Sequence, residues 1–526
     1  MLNRASQLLR HFNLKANISP SPHLHPPLPP TARRLLTTTT STTMSSPQTH
    51  YDVLILGSGQ SGTPLASAFA AAGRKTCLVD RAHIGGCCVN EGCTPTKTMI
   101  ASGRVAYLAR RGAEYGVHCG HGGITVDMQR VRQRKRDIVT SFREGSEKRT
   151  AAAGVEIVMG EAAFVGPRTV KVRKNEGGGG EEVQLSAELV FVNTGERPAR
   201  PALRGLEDVP ADRVLDSTSV QELGAVPDHL VVLGGGYIGL EFGQLFRRLG
   251  ARVTVVQRAP RVLPREDPEI ADCVLEILRE DGIEVLLSTT AVSVTSEPAV
   301  PVVLTVKAGD GATQTLRGSH LLLAAGRTPN TDMLNLSATW VEVDSRGHIV
   351  VSPTLETSAP GVYAMGDVHG GPAFTHVSYD DFRIIRDNLI ASAVAEGQGT
   401  PHTTQARAPT IPYVCYTDPQ VAHVGLHAAE VRPGRRVMVA SMPLSWVARA
   451  LETAETRGML KAVVDGDTGL ILGFSAVGPE AGEMMAVVQM AMVGGVGWKT
   501  LRDMVFAHPS WAEGFNNLWS GLKEVS

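Results

Sequence analysis

One short grammar is written twice in this chain, and few folds can hold it. Tyr51 to Leu56 is an apolar run followed at once by Gly57-Ser58-Gly59-Gln60-Ser61-Gly62 and an Ala-rich helical stretch to Gly73. His229 to Leu233 repeats the run, Gly234-Gly235-Gly236-Tyr237-Ile238-Gly239 repeats the turn, and Leu240 to Leu249 repeats the helix. Each set predicts a strand, a tight turn and a helix. Gly57 and Gly59, like Gly234 and Gly236, let backbone amides approach a pyrophosphate at the helix N-terminus, while Gly62 and Gly239 let helix and strand pack closely. A lone match of this kind arises readily by chance; two complete units predict an α/β chain with two Rossmann-like domains and two different dinucleotides.

The residues beyond each turn separate the two sites. A second strand, Thr76 to Val79, ends in Asp80, where a carboxylate can bind a ribose hydroxyl. In the second unit Arg252 to Val256 leads to Gln257, at the same distance beyond the third glycine. An acid at this position would repel a 2′-phosphate. Gln257 is neutral, and Arg258, Arg261 and Arg265 follow with guanidinium forks suited to phosphate, which favours NADPH over NADH. Three arginines in a surface loop are also an ordinary solvated stretch.

Directly after the first unit stands Gly85-Gly86-Cys87-Cys88-Val89-Asn90-Glu91-Gly92-Cys93-Thr94-Pro95-Thr96-Lys97. In a regular helix, thiols spaced as Cys88 and Cys93 are would have Cα atoms roughly 8.6 Å apart, beyond the limit of about 7 Å for a bridge. A redox pair therefore requires an irregular turn, which Gly92 and Pro95 would allow. Spacing alone leaves inert buried cysteines or metal ligands equally open. The place of the pair, immediately downstream of a dinucleotide fold and with no second Cys/His cluster to complete a zinc site, favours the redox reading and no bound metal. Cys77, Cys119, Cys273 and Cys415 are scattered and read as structural; Cys87 reads as a small packed side chain or a third thiol.

A chain of 526 residues exceeds what one core serves and suggests three or four domains. Lys+Arg of 51 against Asp+Glu of 52 argues against nucleic acid as a partner. Seven cysteines without regular spacing suggest a reducing compartment, in which any disulfide is functional. Before Asp52 there is no acidic residue, while Arg4, Arg10, Lys15, Arg33 and Arg34 sit among Ser, Thr and Pro, and Leu2, Leu8, Leu9, Phe12 and Leu14 can line one helix face. Residues 1–49 thus read as a mitochondrial transit peptide or a disordered tail, with Met44 a second start that would leave a cytoplasmic form. Met484 to Val493 is too short to span a membrane and is broken by Gln489, so no membrane association is expected.

With these residues in place the chain resembles the flavoprotein pyridine nucleotide-disulfide oxidoreductases, the group of glutathione reductase, lipoamide dehydrogenase and mercuric reductase. The likeness runs from Tyr51 to Val525. Thr194-Gly195-Glu196-Arg197-Pro198 and Ala325-Gly326-Arg327-Thr328-Pro329-Asn330 match the segments that close the nucleotide domains, and Thr357 to Asp367 matches the second FAD motif, including Gly366. The resemblance implies an FAD domain over 50–200 and 331–400, an NAD(P) domain over 201–330 and a C-terminal α+β dimerisation domain over 407–526, in a homodimer. It makes Cys88 the interchange thiol and Cys93 the charge-transfer thiol. Lys97 and Glu241 become the ion pair beside flavin N5, Tyr237 the residue that covers the flavin until nicotinamide enters, and Asp367 the residue that holds the ribityl chain. His508, in His508-Pro509-Ser510-Trp511-Ala512-Glu513, becomes the acid/base supplied to the partner subunit, oriented by Glu513.

The chain departs from several relatives. Gln257 stands where lipoamide dehydrogenase implies an acid, Thr63-Pro64-Leu65-Ala66 lacks the basic residue of glutathione reductase, and Gly521 to Ser526 lacks the extra cysteine pair of mercuric reductase. Cys93 to Thr98, Phe374 to Arg383 and Arg265-Glu266-Asp267-Pro268 read most like mercuric-reductase-like and reactive-chlorine-resistance copper(II) reductase-like proteins. The leading expectation is an NADPH-dependent reductase of a small disulfide, a thiol-reactive electrophile or a soft metal ion. The rivals are a lipoamide dehydrogenase-type enzyme using NAD and a non-catalytic FAD-binding redox sensor.

Overall fold

The computed structural model describes residues 48–118, 123–175, 180–391, 399–431 and 434–525. Residues 1–47 of the expected leader, Cys119 and residues 176–179 and 392–398 lie outside the described residues.

β1 (Gln48–Leu56) turns at Gly57 into α1 (Gly62–Ala71), and β2 (Thr76–Asp80) follows. Next come α2 (Gly86–Asn90), α3 (Cys93–Arg110) and α4 (Met128–Ala152), then β3 (Glu156–Gly166), β4 (Thr169–Lys174) and β5 (Glu182–Val192). β3, β2, β1 and β5 lie parallel in that order, and a late strand, Val362–Ala364, adds to β5. β4 runs antiparallel against the second half of β3 and the first half of β5. Val53, Leu54 and Ile55 are fully buried, the continuous apolar run that a parallel sheet covered on both faces demands. Because β1 has β2 on one side and β5 on the other, strand order reverses there, and the crevice at its carboxyl end opens at Gly57.

The second unit repeats the plan. Strands Glu284–Leu286, Arg252–Val256, His229–Leu233, His320–Leu323 and Val214–Leu215 are all parallel in that order, so His229–Leu233 is again the switch strand. It feeds α5 (Tyr237–Leu249), which buries Leu240, Phe242, Leu245, Phe246 and Leu249; α6 (Pro268–Glu280) packs into the same core. An antiparallel sheet of Thr289–Glu297, Val300–Ala308 and Thr313–Gly318 accompanies this unit. Glu196–Pro198 pairs antiparallel with Arg327–Pro329 where the chain enters and leaves it.

α7 (Thr375–Leu389) precedes a six-stranded C-terminal sheet in which every pairing is antiparallel. Helix Ala481–Val493 lies on that sheet, with Met484, Met485 and Val488 buried and Met490 and Val493 exposed. No described helix is long and apolar enough to cross a membrane.

α3 ties the three regions together. At Gly103 an added Cβ would come within 2.9 Å of Leu245 Cδ1 of α5, so the two helices meet at the one residue without a side chain. Arg104 pairs with Asp418 at 3.0 Å and Glu455 at 2.9 Å, Arg111 pairs with Glu455 at 2.9 Å, and Arg248 of α5 pairs with Asp418. The guanidinium groups of Arg104, Arg111, Arg248 and Arg457 all stand within 5.7 Å of the Tyr107 ring centre.

Candidate active site

The thiols sit where the helix is interrupted. α2 ends at Asn90, Gly92 takes φ −110° and ψ −110°, and Cys93 opens α3. Pro95 occupies the first turn of α3, where its missing N–H costs nothing. Both cysteines are present as free thiols, and they hydrogen-bond each other. That bond is the main reason Cys93 is pulled down to about pKa 5; Thr375 Oγ1 at 3.3 Å and the Lys97 charge act in the same direction against burial. The same bond, together with burial, pushes the Cys88 thiol up. Within this pair the negative charge therefore rests on Cys93.

Lys97 lies one turn beyond Cys93 on the same face of α3. Its Nζ donates to Glu241 Oε2 at 2.8 Å, and the other carboxylate oxygen accepts from Tyr416 N at 2.7 Å. Burial would lower the Lys97 pKa, but Glu241 outweighs it and the net direction is upward. A lasting positive charge is thus held beside the dithiol, by a carboxylate only 6% exposed.

Around the first glycine turn the packing leaves no room for side chains. A Cβ at Gly57 (φ +102°) would lie 2.3 Å from Asn193 O, one at Gly59 would lie 2.8 Å from Asn193 Nδ2, and one at Gly62 would lie 2.2 Å from Gly57 O. Asp80 anchors this turn: it accepts from Ser58 N at 2.9 Å, from Ser58 Oγ and from Ala82 N at 2.9 Å, which leaves one of its four lone-pair positions for a ribose hydroxyl. Thr194 Oγ1 donates to Asn330 O at 3.0 Å, and Gly195 and Gly326 both take positive φ beside it. Gly366 N donates to Asp381, while the neighbouring Asp367 carboxylate has no hydrogen-bond partner among the described residues. Burial first, then the Glu196 charge, raises Asp367 to about pKa 6. A half-buried acceptor without a hydrogen-bond partner among the described residues fits the polyol chain of FAD.

The second turn shows the same tightness, with a Cβ at Gly234 2.4 Å from Ala324 O and one at Gly239 2.0 Å from Gly234 O. Gly236 faces open space instead, at the N-terminus of α5, where a pyrophosphate would approach. Gln257 is buried; its Oε1 accepts from Gly235 N at 3.2 Å and its Nε2 donates to Arg261 O at 3.0 Å. The neutral amide thus replaces an acid as the acceptor beneath the turn. Arg258 and Arg265 are exposed with no ion pair among the described residues, whereas Arg261 lies 3.5 Å from Asp272.

His508 is 66% exposed on this chain, and its Nδ1 meets both Glu513 oxygens at 2.9 and 3.0 Å, leaving Nε2 outward. Among the described residues no hydrogen bond or ion pair joins His508 to Cys88 or Cys93.

Several neighbours escaped the sequence reading. Asn193 wedges beneath Gly57, Gly59, Gly62 and Gly366 at once. Thr375 and Glu266 fall inside segments singled out by wording alone, without a role. Glu266, His423 and His427 bring ligand-type atoms within 4.8 Å of one another. The two imidazoles, however, stack at 3.8 Å with planes 13° apart, so their in-plane lone pairs run parallel, and both His423 nitrogens are already hydrogen-bonded. The cluster is a hydrogen-bonding hub.

Comparison with known proteins places this geometry. A family model of pyridine nucleotide-disulphide oxidoreductases matches residues 51–381, and the dimerisation domain of that family matches residues 411–518. The chain is a pyridine nucleotide-disulphide oxidoreductase. RclA of Escherichia coli K12, described as a probable pyridine nucleotide-disulfide oxidoreductase, is 33% identical over 477 residues, covering 90% of this oxidoreductase and 99% of RclA. Mercuric reductase of Bacillus cereus is 34% identical over 468 residues, covering 88% and 70%. Dihydrolipoyl dehydrogenase of Thermus scotoductus is 33% identical over 466 residues, covering 88% and 95%. The solved Cu(II) complex of the HOCl-induced flavoprotein disulfide reductase RclA from Escherichia coli matches with a TM-score of 0.79 at 33% identity, over 90% of this chain and 99% of that one. Membership implies FAD and a pyridine nucleotide, and the α/β architecture with two nucleotide-binding domains and a dimerisation domain is the one expected.

Proposed function

We propose that this oxidoreductase takes electrons from NADPH and delivers them through Cys88 and Cys93 to a small disulfide, a thiol-reactive electrophile or a soft metal ion. The observation that carries the proposal is the arrangement at the break between α2 and α3: Cys88 in α2, Cys93 opening α3 and, one turn further on, Lys97 ion-paired with the buried Glu241 carboxylate. FAD, when bound, supplies the relay of electrons between nicotinamide and dithiol. Asp80, Asn193, Thr194 and Asp367 would hold it.

With a disulfide acceptor, His508 takes the proton of the Cys88 thiol, the resulting thiolate attacks one acceptor sulfur, and the first leaving thiolate receives that proton back from His508. Cys93 then attacks the Cys88 sulfur and the second thiolate leaves, so two electrons have moved and Cys88 is joined to Cys93. No hydrogen bond or ion pair joins His508 to these thiols among the described residues of its own chain, and a second copy would supply it. Val505, 95% exposed three residues before His508, together with exposed Met490 and Val493, offers the apolar surface such a copy would cover. NADPH is favoured by the neutral, fully engaged Gln257 and by the unpaired Arg258 and Arg265. Gln257 counts equally against the lipoamide-type reading, and an intact thiol pair with its lysine and acid/base group counts against a mere sensor. The Cu(II) and mercuric names of the relatives support a soft metal ion among the acceptors.

Stopped-flow reduction of the holoenzyme by NADPH and by NADH, followed by reoxidation with a panel of disulfides, Cu(II) and Hg(II), tests the reading. Reduction faster with NADPH and reoxidation lost in Cys88→Ser and Cys93→Ser are expected. Acceptor turnover that survives either serine variant refutes it.

A further inference from the structure

Tyr237, at the start of α5, is not free to turn. Its hydroxyl donates to Glu266 Oε1 at 3.0 Å, and the same oxygen accepts from the Tyr413 hydroxyl at 2.8 Å. Tyr413 is itself fixed. Its ring stacks on Phe374 at 5.5 Å with planes 9° apart and lies 5.1 Å from His423, and its hydroxyl meets His427 Nε2 at 3.2 Å. Phe374 immediately precedes Thr375, the residue that contacts Cys93. One carboxylate oxygen therefore couples a tyrosine at the nucleotide turn to an immobile tyrosine of the C-terminal sheet. Glu266 is 7% exposed, and its second oxygen has no hydrogen-bond partner, so the carboxylate makes no other tie.

We infer that Glu266 is a positioning residue for the pyridine nucleotide site: anchored by Tyr413, it latches the Tyr237 ring, and nicotinamide enters only when that latch opens. This rests on the proposed function in one respect, that the nucleotide bound at the second glycine turn must pass Tyr237. Around the latch the charged groups are Asp267, paired with Lys461 at 2.9 Å, and His427, whose Nδ1 lies 3.8 Å from Asp267. None of them bonds to either tyrosine hydroxyl except His427 to Tyr413. The latch is therefore a local device of three side chains, from three segments separated in sequence.

An opening step before binding weakens apparent affinity by the fraction of protein in the open state. Cutting the latch must then tighten nucleotide binding, which distinguishes it from ordinary structural damage. Glu266→Gln keeps the shape but replaces a charged acceptor with a neutral one of about half the strength, and about fivefold tighter binding is expected. Tyr237→Phe removes one hydroxyl and the whole tie, with about tenfold tighter binding expected. Calorimetric titration of each yellow holoenzyme with NADP+ and with NAD+ gives the Kd, and stopped flow gives the rate of flavin reduction at saturating nucleotide.

The inference requires that both variants lower Kd, that Glu266→Gln keeps the saturated reduction rate within about twofold of wild type, and that Glu266→Gln adds nothing to Tyr237→Phe in the double variant. Unchanged or weaker binding in Tyr237→Phe, or additive effects in the double variant, overturns it while leaving the oxidoreductase function standing. A wild-type holoenzyme that binds neither nucleotide overturns both.

Discussion

Replacing Thr375 by valine removes a single hydroxyl, at nearly constant volume, from the neighbourhood of the reactive sulfur. The hydroxyl lies 3.3 Å from Cys93 Sγ and stabilises the charged thiolate. Hydrogen bonds to charged groups contribute roughly 1.5–3 kcal/mol when buried. Cys93 is exposed on its own chain, so about 1 kcal/mol is a better figure after solvent screening. At 1.36 kcal/mol per pH unit this raises the Cys93 midpoint by about 0.7 of a unit. The measurement is the ultraviolet absorbance of the thiolate in the reduced holoenzyme against pH, with Cys93→Ser as the blank. The sign for stability follows the same shift. A thiol whose folded pKa lies below its unfolded value of 9.0 stabilises the dithiol fold fully above pH 9, and that contribution declines as pH falls and is gone below about 5. Thr375→Val should therefore be less stable than wild type at pH 8 and equal to it near pH 4. A midpoint that stays put or falls would refute the assignment of charge to Cys93.

Asp418→Asn takes from buried Arg248 one of its two carboxylates, leaving Asp281 at 3.5 Å, and should cost about 2 kcal/mol in denaturant unfolding, as loss of a charged hydrogen bond does. Arg258→Ala combined with Arg265→Ala should lower kcat/KM for NADPH about tenfold and leave NADH little changed; equal loss for both nucleotides would dismiss the 2′-phosphate reading. His508→Gln and Cys88→Ser subunits, each inactive alone, should recover roughly a quarter of wild-type activity when reassembled together, since half the chains then sit in mixed dimers with one complete site each. Inactive mixtures would place the acid/base group within its own chain. Residues 1–50 fused to a fluorescent protein should reach mitochondria, and a chain begun at Met44 should stay in the cytoplasm.

Local chemistry accounts for the features legible in the sequence. Both glycine turns announce themselves because the constraint is backbone approach, which only glycine meets, and the structure places strand, turn and helix where the apolar runs end. The broken helix between Cys88 and Cys93 was legible for the same reason: bond geometry forbids the alternative. Asn193, Thr375 and the Glu266 hub were not. Thr375 meets Cys93 across 282 positions and Tyr413 meets Glu266 across 147, and no periodicity encodes such a meeting. Their residue types are common, and their roles exist only once segments distant in the chain have met. Asp80 lies between these cases, since its position was clear but not its bonds to Ser58, which make it a buttress of the turn as well as a ligand group.

The helix that begins at Cys93 is pinned, eleven residues later, by Arg104 to two carboxylates of the C-terminal region. At 1.5 Å per residue that anchor stands about 16 Å from the sulfur, along a rod that does not compress. Alignment of the thiol with its electron source is consequently adjusted from the far end, as a tie-rod sets a wheel. Substitutions around Asp418 or Glu455, remote from any reacting atom, should be felt first as a misplaced sulfur and only afterwards as a weakened fold.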